Sequence, residues 1–313
     1  MSEQKIAFLF PGQGSQVVGM GRDLAEKFTV ARDTFAEADA ALGYSLSKLC
    51  FEGPADQLKQ TEFTQPSIFA VSMAAYRVLA SRGIEPQLAA GHSLGEYTAC
   101  AAAGLMSFAD AIRALRSRGQ FMQEAVPEGD GAMAAVLGLN ADAVRAACEA
   151  AAKQTNEVVS SANLNSPQQI VISGSSAGVA RASELAREKG AIKVVPLQVS
   201  APFHCALMQP AQDRLTEVLK AIEVHDPRFP IVSNVTADVT KRGGRERDLL
   251  IEQVTAPVRW MESMRCMIDA GVSFFVEVGP GRVLTGLLRQ IDRAQKCVNV
   301  EDAASLEKAL AGS

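Results

Sequence analysis

Short apolar runs alternate with longer segments of helical periodicity in the first part of the chain. Residues 5–10 form a mostly apolar run that stops at Pro11-Gly12, which is typical of a buried parallel strand. Residues 87–90 predict a second short strand, and an Ala-rich helix is predicted shortly after it. Helices are predicted at 19–41, at 66–82 and after Ser107, where Asp110 has the spacing of a capping partner. This alternation indicates an α/β fold with a parallel sheet.

The middle of the chain has a different order of elements. Its patterns predict strands at 132–139, 157–162, 169–173 and 192–197, and helices at 141–152 and 177–189. The order β-α-β-β-α-β is that of a ferredoxin-like unit. We therefore expect a small inserted subdomain at 129–198 inside a discontinuous large subdomain made of 1–128 and 199–313.

After this insert the α/β order returns. The predicted elements are helices near 208–222, 246–253 and 257–270, strands at 231–235, 273–278 and 297–300, a helix between the last two strands, and a final helix. The segment Thr240–Arg247 is rich in Gly and Arg, and we expect it to be an exposed loop.

Composition and charge exclude several classes of protein. Of 313 residues, 48% are hydrophobic and 21% are charged, so the chain can form a sizeable core and is not expected to be disordered. Lys plus Arg total 31 and Asp plus Glu total 35, which argues against a nucleic-acid binder. No run approaches the ~18 apolar residues of a membrane-spanning helix, and the start lacks the apolar core of a signal peptide.

The cysteines and histidines restrict the possible chemistry. Six scattered cysteines without a CxxC pair or a Cys/His cluster predict reduced thiols in a cytoplasmic protein, with no metal site. The only histidines are His92, His204 and His225, so any histidine-based chemistry has three candidates.

The segment Gly91-His92-Ser93-Leu94-Gly95 matches the pattern G-x-S-x-G between a predicted strand and a predicted helix. Such a turn exposes a strained serine, and the following helix N-terminus offers N–H groups to a developing oxyanion. Ser93 is therefore a candidate nucleophile. The alternative is a glycine-rich turn in which Ser93 only caps the helix.

A serine nucleophile needs a base. His204 is the best candidate by elimination, because His92 is the sequence neighbour of Ser93 and His225 lies in a polar loop. A buried structural histidine is the alternative. No acidic residue stands at a promising place between Ser93 and His204, which weakens an ordinary hydrolase triad; a neutral group could orient His204 instead.

Two further features are candidates for substrate binding. The glycine-rich loop Pro11–Gln16 lacks the lysine and the spacing of phosphate-binding loops, but it could donate a backbone N–H beside the nucleophile. On the helix after Ser107, Arg118 falls about 60° from Leu115, at the edge of the apolar face. A cation there needs an anionic partner, which is either a protein carboxylate or a substrate carboxylate.

Together these segments resemble the family of malonyl-CoA:acyl carrier protein transacylases of bacterial type II fatty acid synthesis. The motifs that carry the resemblance run in the family's order along the whole chain: Phe10–Gln16, Gly91–Tyr97, Arg116–Gly119, Asn163–Gln168, Ala201–His204, Ser233–Thr236 and Val278–Gly281. The resemblance implies an α/β-hydrolase-like large subdomain with a parallel sheet and a ferredoxin-like insert. It also implies ping-pong transfer through a malonyl-serine intermediate.

The resemblance also implies roles for single residues. Ser93 would be the nucleophile and His204 the general base, oriented by the backbone carbonyl of Gln253. The remaining roles are an oxyanion hole from the N–H groups of Gln13 and Leu94, a carboxylate site at Arg118, and a pocket with Asn163, Phe203 and Met122. In related acyltransferases a Phe just before the base accompanies malonyl rather than methylmalonyl preference.

The expected partners are malonyl-CoA as a substrate and an acidic acyl carrier protein, without a metal or other cofactor. We expect a monomer. Lys189, Lys193 and Arg289 are weak candidates for carrier docking, and a solvated surface charge is the alternative for each. The competing function is a serine esterase or thioesterase; a non-catalytic acyl-binding module is a third.

Overall fold

A computed structural model describes residues 5–199 and 201–312. The outermost residues of the expected large subdomain, 1–4 and 313, lie outside the described residues. The chain forms two separate sheets and surrounding helices. The ten strands are β1 Ile6–Phe10, β2 Leu88–Gly91, β3 Gly131–Leu137, β4 Val159–Ser166, β5 Gln169–Ser175, β6 Lys193–Pro196, β7 Ile231–Val232, β8 Val239–Thr240, β9 Phe274–Val278 and β10 Lys296–Val300.

The α-helices surround both sheets, and most of them are longer than the strands. Their bounds are α1 Arg22–Lys27, α2 Thr29–Leu42, α3 Leu46–Glu52, α4 Ala55–Leu58, α5 Thr61–Ser81, α6 Leu94–Ala102, α7 Phe108–Glu124, α8 Ala141–Thr155, α9 Ser176–Glu188, α10 Gln209–Lys220, α11 Gly243–Glu252, α12 Trp260–Asp269, α13 Val283–Ile291 and α14 Ala303–Gly312. A 3₁₀ turn, Ala206–Met208, precedes α10. No helix in the described part of the chain combines the length and apolar character that crossing a bilayer requires.

The larger sheet has the strand order β10-β9-β1-β2-β7-β8. All neighbours are parallel except β8, which pairs antiparallel with β7 at the edge. Every residue of β2 is buried, as expected for a parallel strand covered on both faces. In the central pair, Phe10 of β1 lies opposite Gly91 of β2. The loops that follow these two strands therefore leave the sheet side by side at its carboxyl edge.

The smaller sheet has the order β4-β5-β3-β6, and all its neighbours are antiparallel. Its own apolar cluster lies between the strands and the helices α8 and α9. A bridge between Asn163 of β4 and Val258 joins this sheet to the rest of the chain. The observed architecture is a mixed α/β fold with a parallel sheet and a separate antiparallel sheet.

Most predicted elements are confirmed within a few residues, including the cap of α7, where the Ser107 side chain accepts a hydrogen bond from the Asp110 N–H at 3.0 Å. The helix predicted at 19–41 is two helices, because Gly21 is left-handed and Phe28 is extended. The short helices α3 and α4 were not predicted.

The prediction of an exposed loop at Thr240–Arg247 is wrong. Helix α11 begins at Gly243, and the Glu246 side chain is fully buried. A Cβ atom at Gly243 would lie 2.1 Å from the carbonyl oxygen of His225, so this glycine permits close packing of the helix start. Gly243 therefore marks a tight helix–loop contact rather than an exposed loop.

Candidate active site

Ser93 lies on the sharp turn between β2 and α6. Its backbone has φ 53° and ψ −109°, a conformation that is strained for any residue with a side chain. Its side chain makes no capping hydrogen bond to α6, so the interpretation of Ser93 as a helix cap is not supported. The strain places the hydroxyl above the carboxyl edge of the sheet, as in nucleophile turns.

Neither glycine of the turn has room for a side chain. A Cβ atom at Gly91 would lie 1.8 Å from the carbonyl carbon of Gly95. A Cβ atom at Gly95 would lie 2.2 Å from the carbonyl oxygen of Phe10, at the end of β1. The G-x-S-x-G pattern is thus the consequence of packing a tight turn directly against the neighbouring strand.

His204 lies where the chain returns from the smaller sheet, and it faces Ser93. Its Nε2 atom is 2.8 Å from Ser93 Oγ, and its Nδ1 atom is 2.9 Å from the backbone oxygen of Gln253. A carbonyl oxygen can only accept, so Nδ1–H donates to Gln253 and Nε2 is left to accept the Ser93 proton. Burial, and then the nearby Arg118 cation, lower the pKa of His204 to about 3.

The other two histidines are placed differently. His225 is exposed, in agreement with its predicted surface position. His92 Nε2 lies 2.8 Å from Asn165 Oδ1, whereas the imidazole at hydrogen-bond distance from Ser93 Oγ is that of His204. The group that orients His204 is a neutral carbonyl, which agrees with the missing acidic residue of the sequence.

Arg118 lies with the apolar residues on the buried face of α7, and only 2% of its surface is exposed. Its Nη1 donates to Gln65 Oε1 at 2.8 Å, and its Nη2 donates to Gln253 Oε1 at 2.9 Å and to Ser93 Oγ at 3.1 Å. The guanidinium also lies 5.6 Å from the centre of the Tyr97 ring.

The guanidinium of Arg118 has no carboxylate within ion-pair distance among the described residues. Its Nε also lacks a hydrogen-bond partner in the described part of the chain. Neutral amide oxygens therefore accept its hydrogen bonds but do not neutralise its charge. The alternative of a protein ion pair is not supported, and the burial of an unneutralised cation calls for an anionic ligand.

A pocket of about 370 Å³ opens beside Ser93 and His204. Three other predicted site residues line it: Gln13, Asn163 and Phe203. The rest of its lining was not predicted and consists of Gly14, Gln16, Lys59, His92, Met133, Leu197, Gln198 and Val199. Residues from the loop after β1, the turn after β2 and the smaller sheet thus meet around one space.

Four predicted residues lie outside this lining: Arg118, whose guanidinium reaches Ser93 Oγ from behind, and Leu94, Gln253 and Met122. Leu94 is buried as the first residue of α6, so its N–H has no acceptor within the helix. Gln253 is buried behind His204. Met122 is buried as well, and its sulfur lies 3.9 Å from Gln65 Nε2. Met122 therefore contacts a partner of Arg118 and is not part of the pocket wall.

A buried polar network behind the turn was missed in the sequence. The Ser93 N–H donates to Asn234 Oδ1 at 2.8 Å, and Asn234 Nδ2 donates to the Gly91 oxygen at 2.7 Å. Glu96 accepts from the Asn234 N–H at 3.0 Å and from the Gln253 amide. The only signal in the sequence was that Glu96 and Asn234 belong to recognised motifs.

The cysteines are free, and none lines the pocket. Cys205, next to His204, is buried, and burial raises the pKa of its thiol. The described residues include no group of three or more His, Cys, Asp or Glu side chains that could hold a metal ion. The absence of a metal or other cofactor stays a prediction.

Comparison with known proteins agrees with this geometry. Residues 7–309 match the profile of the acyl transferase domain. The chain is 48% identical over 306 residues to the malonyl CoA-acyl carrier protein transacylase of Bacillus subtilis, covering 98% of this chain and 96% of that protein. Its fold is similar to an acyl carrier protein S-malonyltransferase from Vibrio cholerae, with a TM-score of 0.95, 47% identity and coverage of 98% and 100%. It is also similar to a malonyl-transacylase solved in complex with a type II PKS acyl-carrier protein, with a TM-score of 0.96, 45% identity and coverage of 99% and 100%.

Proposed function

This chain belongs to the acyl transferase domain family, and we propose that it transfers malonyl groups from malonyl-CoA to acyl carrier protein, supplying fatty acid synthesis. The observation that carries this proposal is Arg118. Its buried, unneutralised guanidinium lies 3.1 Å from Ser93 Oγ. An acyl group that reaches Ser93 and ends in a carboxylate would supply the missing anion.

The first half-reaction loads the enzyme. His204 takes the Ser93 proton through Nε2 while Oγ attacks the thioester carbonyl of malonyl-CoA. The resulting tetrahedral oxyanion faces the N–H groups of Gln13 and Leu94, which lie at the carboxyl edge of adjacent strands. When the intermediate collapses, the carbon–sulfur bond breaks and the CoA thiolate receives the proton from His204. The malonyl group is then an ester of Ser93.

The second half-reaction repeats these steps in reverse. The phosphopantetheine thiol of the carrier protein gives its proton to His204 and attacks the malonyl ester. The bond between the carbonyl carbon and Ser93 Oγ breaks, and the proton returns to the serine. Proton transfer needs His204 in a fixed tautomer, and the Gln253 carbonyl supplies this by accepting from Nδ1–H. No redox or metal cofactor enters these steps.

The competing function is a serine esterase or thioesterase, which would use the same Ser93 and His204. Arg118 favours acyl transfer of a dicarboxylic unit, because a hydrolase of neutral esters gains nothing from a buried cation beside its nucleophile. The product that receives the malonyl group distinguishes the two functions. The transferase converts malonyl-CoA and carrier protein to malonyl-carrier, whereas the hydrolase produces free malonate.

We also propose that the two sheets mark an α/β-hydrolase-like large subdomain, 1–128 and 199–313, and a ferredoxin-like insert, 129–198. The order β-α-β-β-α-β and the antiparallel arrangement β4-β5-β3-β6 support the insert. The turn of Ser93 after a central parallel strand supports the large subdomain.

The remaining expectations concern the protein in the cell. We propose that the protein is cytoplasmic and monomeric. Light scattering of the purified chain tests whether it is a monomer. Lys189, Lys193 and Arg289 are exposed, as docking of an acidic carrier protein requires, although Lys189 and Arg289 lie on different units of the fold.

Intact mass spectrometry after mixing with malonyl-CoA tests the proposed function directly. We expect the mass of the chain to rise by one malonyl group, with the adduct on the peptide that contains Ser93. Adding holo carrier protein should then remove the adduct and load the carrier. Release of free malonate without loading of the carrier would identify a hydrolase instead.

Because His204 has a lowered pKa, we expect the rate constant of Ser93 acylation to change little between pH 7 and pH 5. A base acts only when unprotonated, so its contribution is retained above the folded pKa of about 3 and is lost as the pH falls towards it. An ordinary histidine, with a pKa of about 6.5, would lose more than about tenfold over this interval. Rapid-quench acylation across the pH range measures the profile, and a titration near pH 6.5 would contradict this account of the base.

Replacing Phe203 with Ser should raise methylmalonyl transfer relative to malonyl transfer by about tenfold, the scale on which a pocket discriminates one methyl-sized group. The Phe203 ring lines the pocket beside His204 and limits the space for a branch at C2. A competition assay with both CoA thioesters measures the ratio. Phe121→Ser is a control, because Phe121 packs under Arg214, away from the pocket lining; an equal change in both variants would argue against a role for Phe203.

A further inference from the structure

Two buried carboxyl groups lie behind the Ser93 turn, and the reaction steps above do not use them. Glu96 is in the first turn of α6 and Glu246 is on α11, and neither side chain is exposed to solvent. Burial raises the pKa of both groups, and each also interacts with the other. Two carboxylates so close together in an apolar interior cannot both be ionised, so the pair shares one proton.

The hydrogen-bond donors around the pair decide which group is ionised. Glu96 accepts from the Asn234 N–H at 3.0 Å and from the Gln253 amide. Glu246 has fewer donors around it, namely the Cys100 thiol at 3.9 Å and the Thr240 hydroxyl, and its remaining partner is Glu96 itself. Donors stabilise the charged form, so the negative charge lies on Glu96 and the proton on Glu246.

One set of contacts leads from Glu96 to the catalytic groups through Gln253. The Gln253 amide nitrogen donates to Glu96 and, at 3.1 Å, to the backbone oxygen of Ser93. The backbone oxygen of the same Gln253 accepts from His204 Nδ1. The position of Gln253 therefore determines the position of the base.

Glu96 also determines which way the Gln253 amide points. A carboxylate can only accept, so the nitrogen of the amide faces Glu96 and its oxygen faces away. That oxygen accepts from Arg118 Nη2 at 2.9 Å. A reversed amide would direct its N–H groups at a guanidinium that has only donors, and Arg118 would have to move.

A second set of contacts leads from Glu96 to the nucleophile through Asn234. Glu96 accepts the backbone N–H of Asn234, and the side-chain oxygen of Asn234 accepts the N–H of Ser93. These contacts hold the strained turn from behind. Glu96 is thus the common anchor of the contacts that reach Ser93, His204 and Arg118.

We propose that Glu96 is a positioning residue of this acyltransferase: its carboxylate holds Gln253 and Asn234 in the one arrangement that aligns the nucleophile with its base. Glu96 reaches Arg118 only through the Gln253 amide, so it fixes the position of the guanidinium without pairing with it directly. Arg118 is therefore kept in place but remains available to a substrate carboxylate. This inference rests on the proposed function, because it concerns the geometry of malonyl loading.

Single-turnover acylation of Glu96→Gln by malonyl-CoA and by acetyl-CoA tests the proposal. Glutamine has the same size as glutamate, but only one of its two terminal groups can accept a hydrogen bond. Its NH2 group would therefore face one of the two donors that the carboxylate accepts, Asn234 N–H or Gln253 Nε2. We expect the rate constant for malonyl acylation to fall about 10- to 100-fold, the scale of a small misalignment of reacting groups. We also expect the malonyl-over-acetyl preference to fall about tenfold, the scale of one hydrogen bond to a charged group. The single-turnover rate constant does not depend on the fraction of folded enzyme, so a merely structural role would leave it unchanged.

Glu277→Gln is the matched control. Glu277 is also fully buried, and its carboxylate accepts from the N–H groups of Leu284 and Thr285 at the start of α13. We expect this variant to melt at a lower temperature but to keep the wild-type acylation constant and preference. An equal kinetic loss in Glu277→Gln and Glu96→Gln, or wild-type kinetics in Glu96→Gln, would overturn the proposal.

Two further variants complete the test. Glu246→Gln retains an N–H donor for Glu96, so its acylation constant should stay within about threefold of wild type. A loss as large as that of Glu96→Gln would overturn the assignment of the charge.

If Glu96→Gln does not fold, Glu96→Asp decides, because the shorter aspartate side chain cannot reach both donors. A reduced acylation constant supports the proposal, and a wild-type constant overturns it. Failure of the proposed function is seen separately, as a wild-type protein that forms no malonyl adduct.

Discussion

Replacing Ser93 with Ala should abolish formation of the malonyl-enzyme and reduce transfer to the carrier protein on the order of 10⁶-fold, the loss typical of a deleted serine nucleophile. Among the described residues that line the pocket, no other side chain carries a hydroxyl or a thiol. Cys205 is the nearest reactive residue in sequence to the base, but it is buried and burial raises the pKa of its thiol. The oxyanion groups at Gln13 and Leu94 would remain but would have no tetrahedral adduct to stabilise. Intact mass after exposure to malonyl-CoA measures the adduct, and a coupled assay with carrier protein measures transfer.

Ser81→Ala is a suitable control for this experiment. The Ser81 hydroxyl donates only to the Val78 oxygen at the end of its own helix, so this variant should load like wild type. A malonyl adduct that persists in Ser93→Ala would place the nucleophile elsewhere in the chain. Melting curves of both variants should match wild type, because the strained turn is held by backbone and Asn234 contacts rather than by the serine hydroxyl.

The sequence was most informative where function depends on local geometry. The two glycines around Ser93 are required by distances inside one turn and to the adjacent strand end, so a five-residue pattern was enough to predict that turn. The strands β1 and β2 were predictable because a short apolar run bounded by turn residues is typical of a buried strand. The choice of His204 was also possible, because the chain has only three histidines.

The sequence was least informative where contacts join distant parts of the chain. Glu96 and Gln253 are 157 residues apart, and no periodicity relates them. Helical periodicity placed Arg118 at the edge of a face because it could not include the acceptors Gln65 and Gln253, which come from 53 and 135 residues away. The burial of Glu246 in α11 depends on the same long-range packing, and therefore a glycine- and arginine-rich segment was mistaken for an exposed loop.

Replacing Arg118 with Ala should lower malonyl transfer while sparing, or even increasing, acetyl transfer. A bidentate pair between the guanidinium and the malonyl carboxylate in this buried place contributes about 1.5–3 kcal/mol, which corresponds to roughly 10- to 150-fold in malonyl transfer. Acetyl-CoA has no carboxylate and leaves the cation buried and unneutralised, so removal of the guanidinium removes an obstacle to acetyl transfer. A competition assay with malonyl- and acetyl-CoA measures the change in preference.

Two other variants make this test specific. Lysine at position 118 should restore malonyl preference only in part, because an ammonium keeps the charge but cannot form the two parallel hydrogen bonds. Arg116→Ala is the matched control on the same helix: Arg116 pairs with Glu62 at 2.8 Å, so its loss should leave the preference unchanged. If Arg118→Ala lowers malonyl and acetyl transfer by the same factor, Arg118 serves only the packing of α7 against the Ser93 turn. A selective loss of malonyl transfer would instead mean that the unneutralised charge beside Ser93 is what makes the pocket specific for a dicarboxylic acyl group.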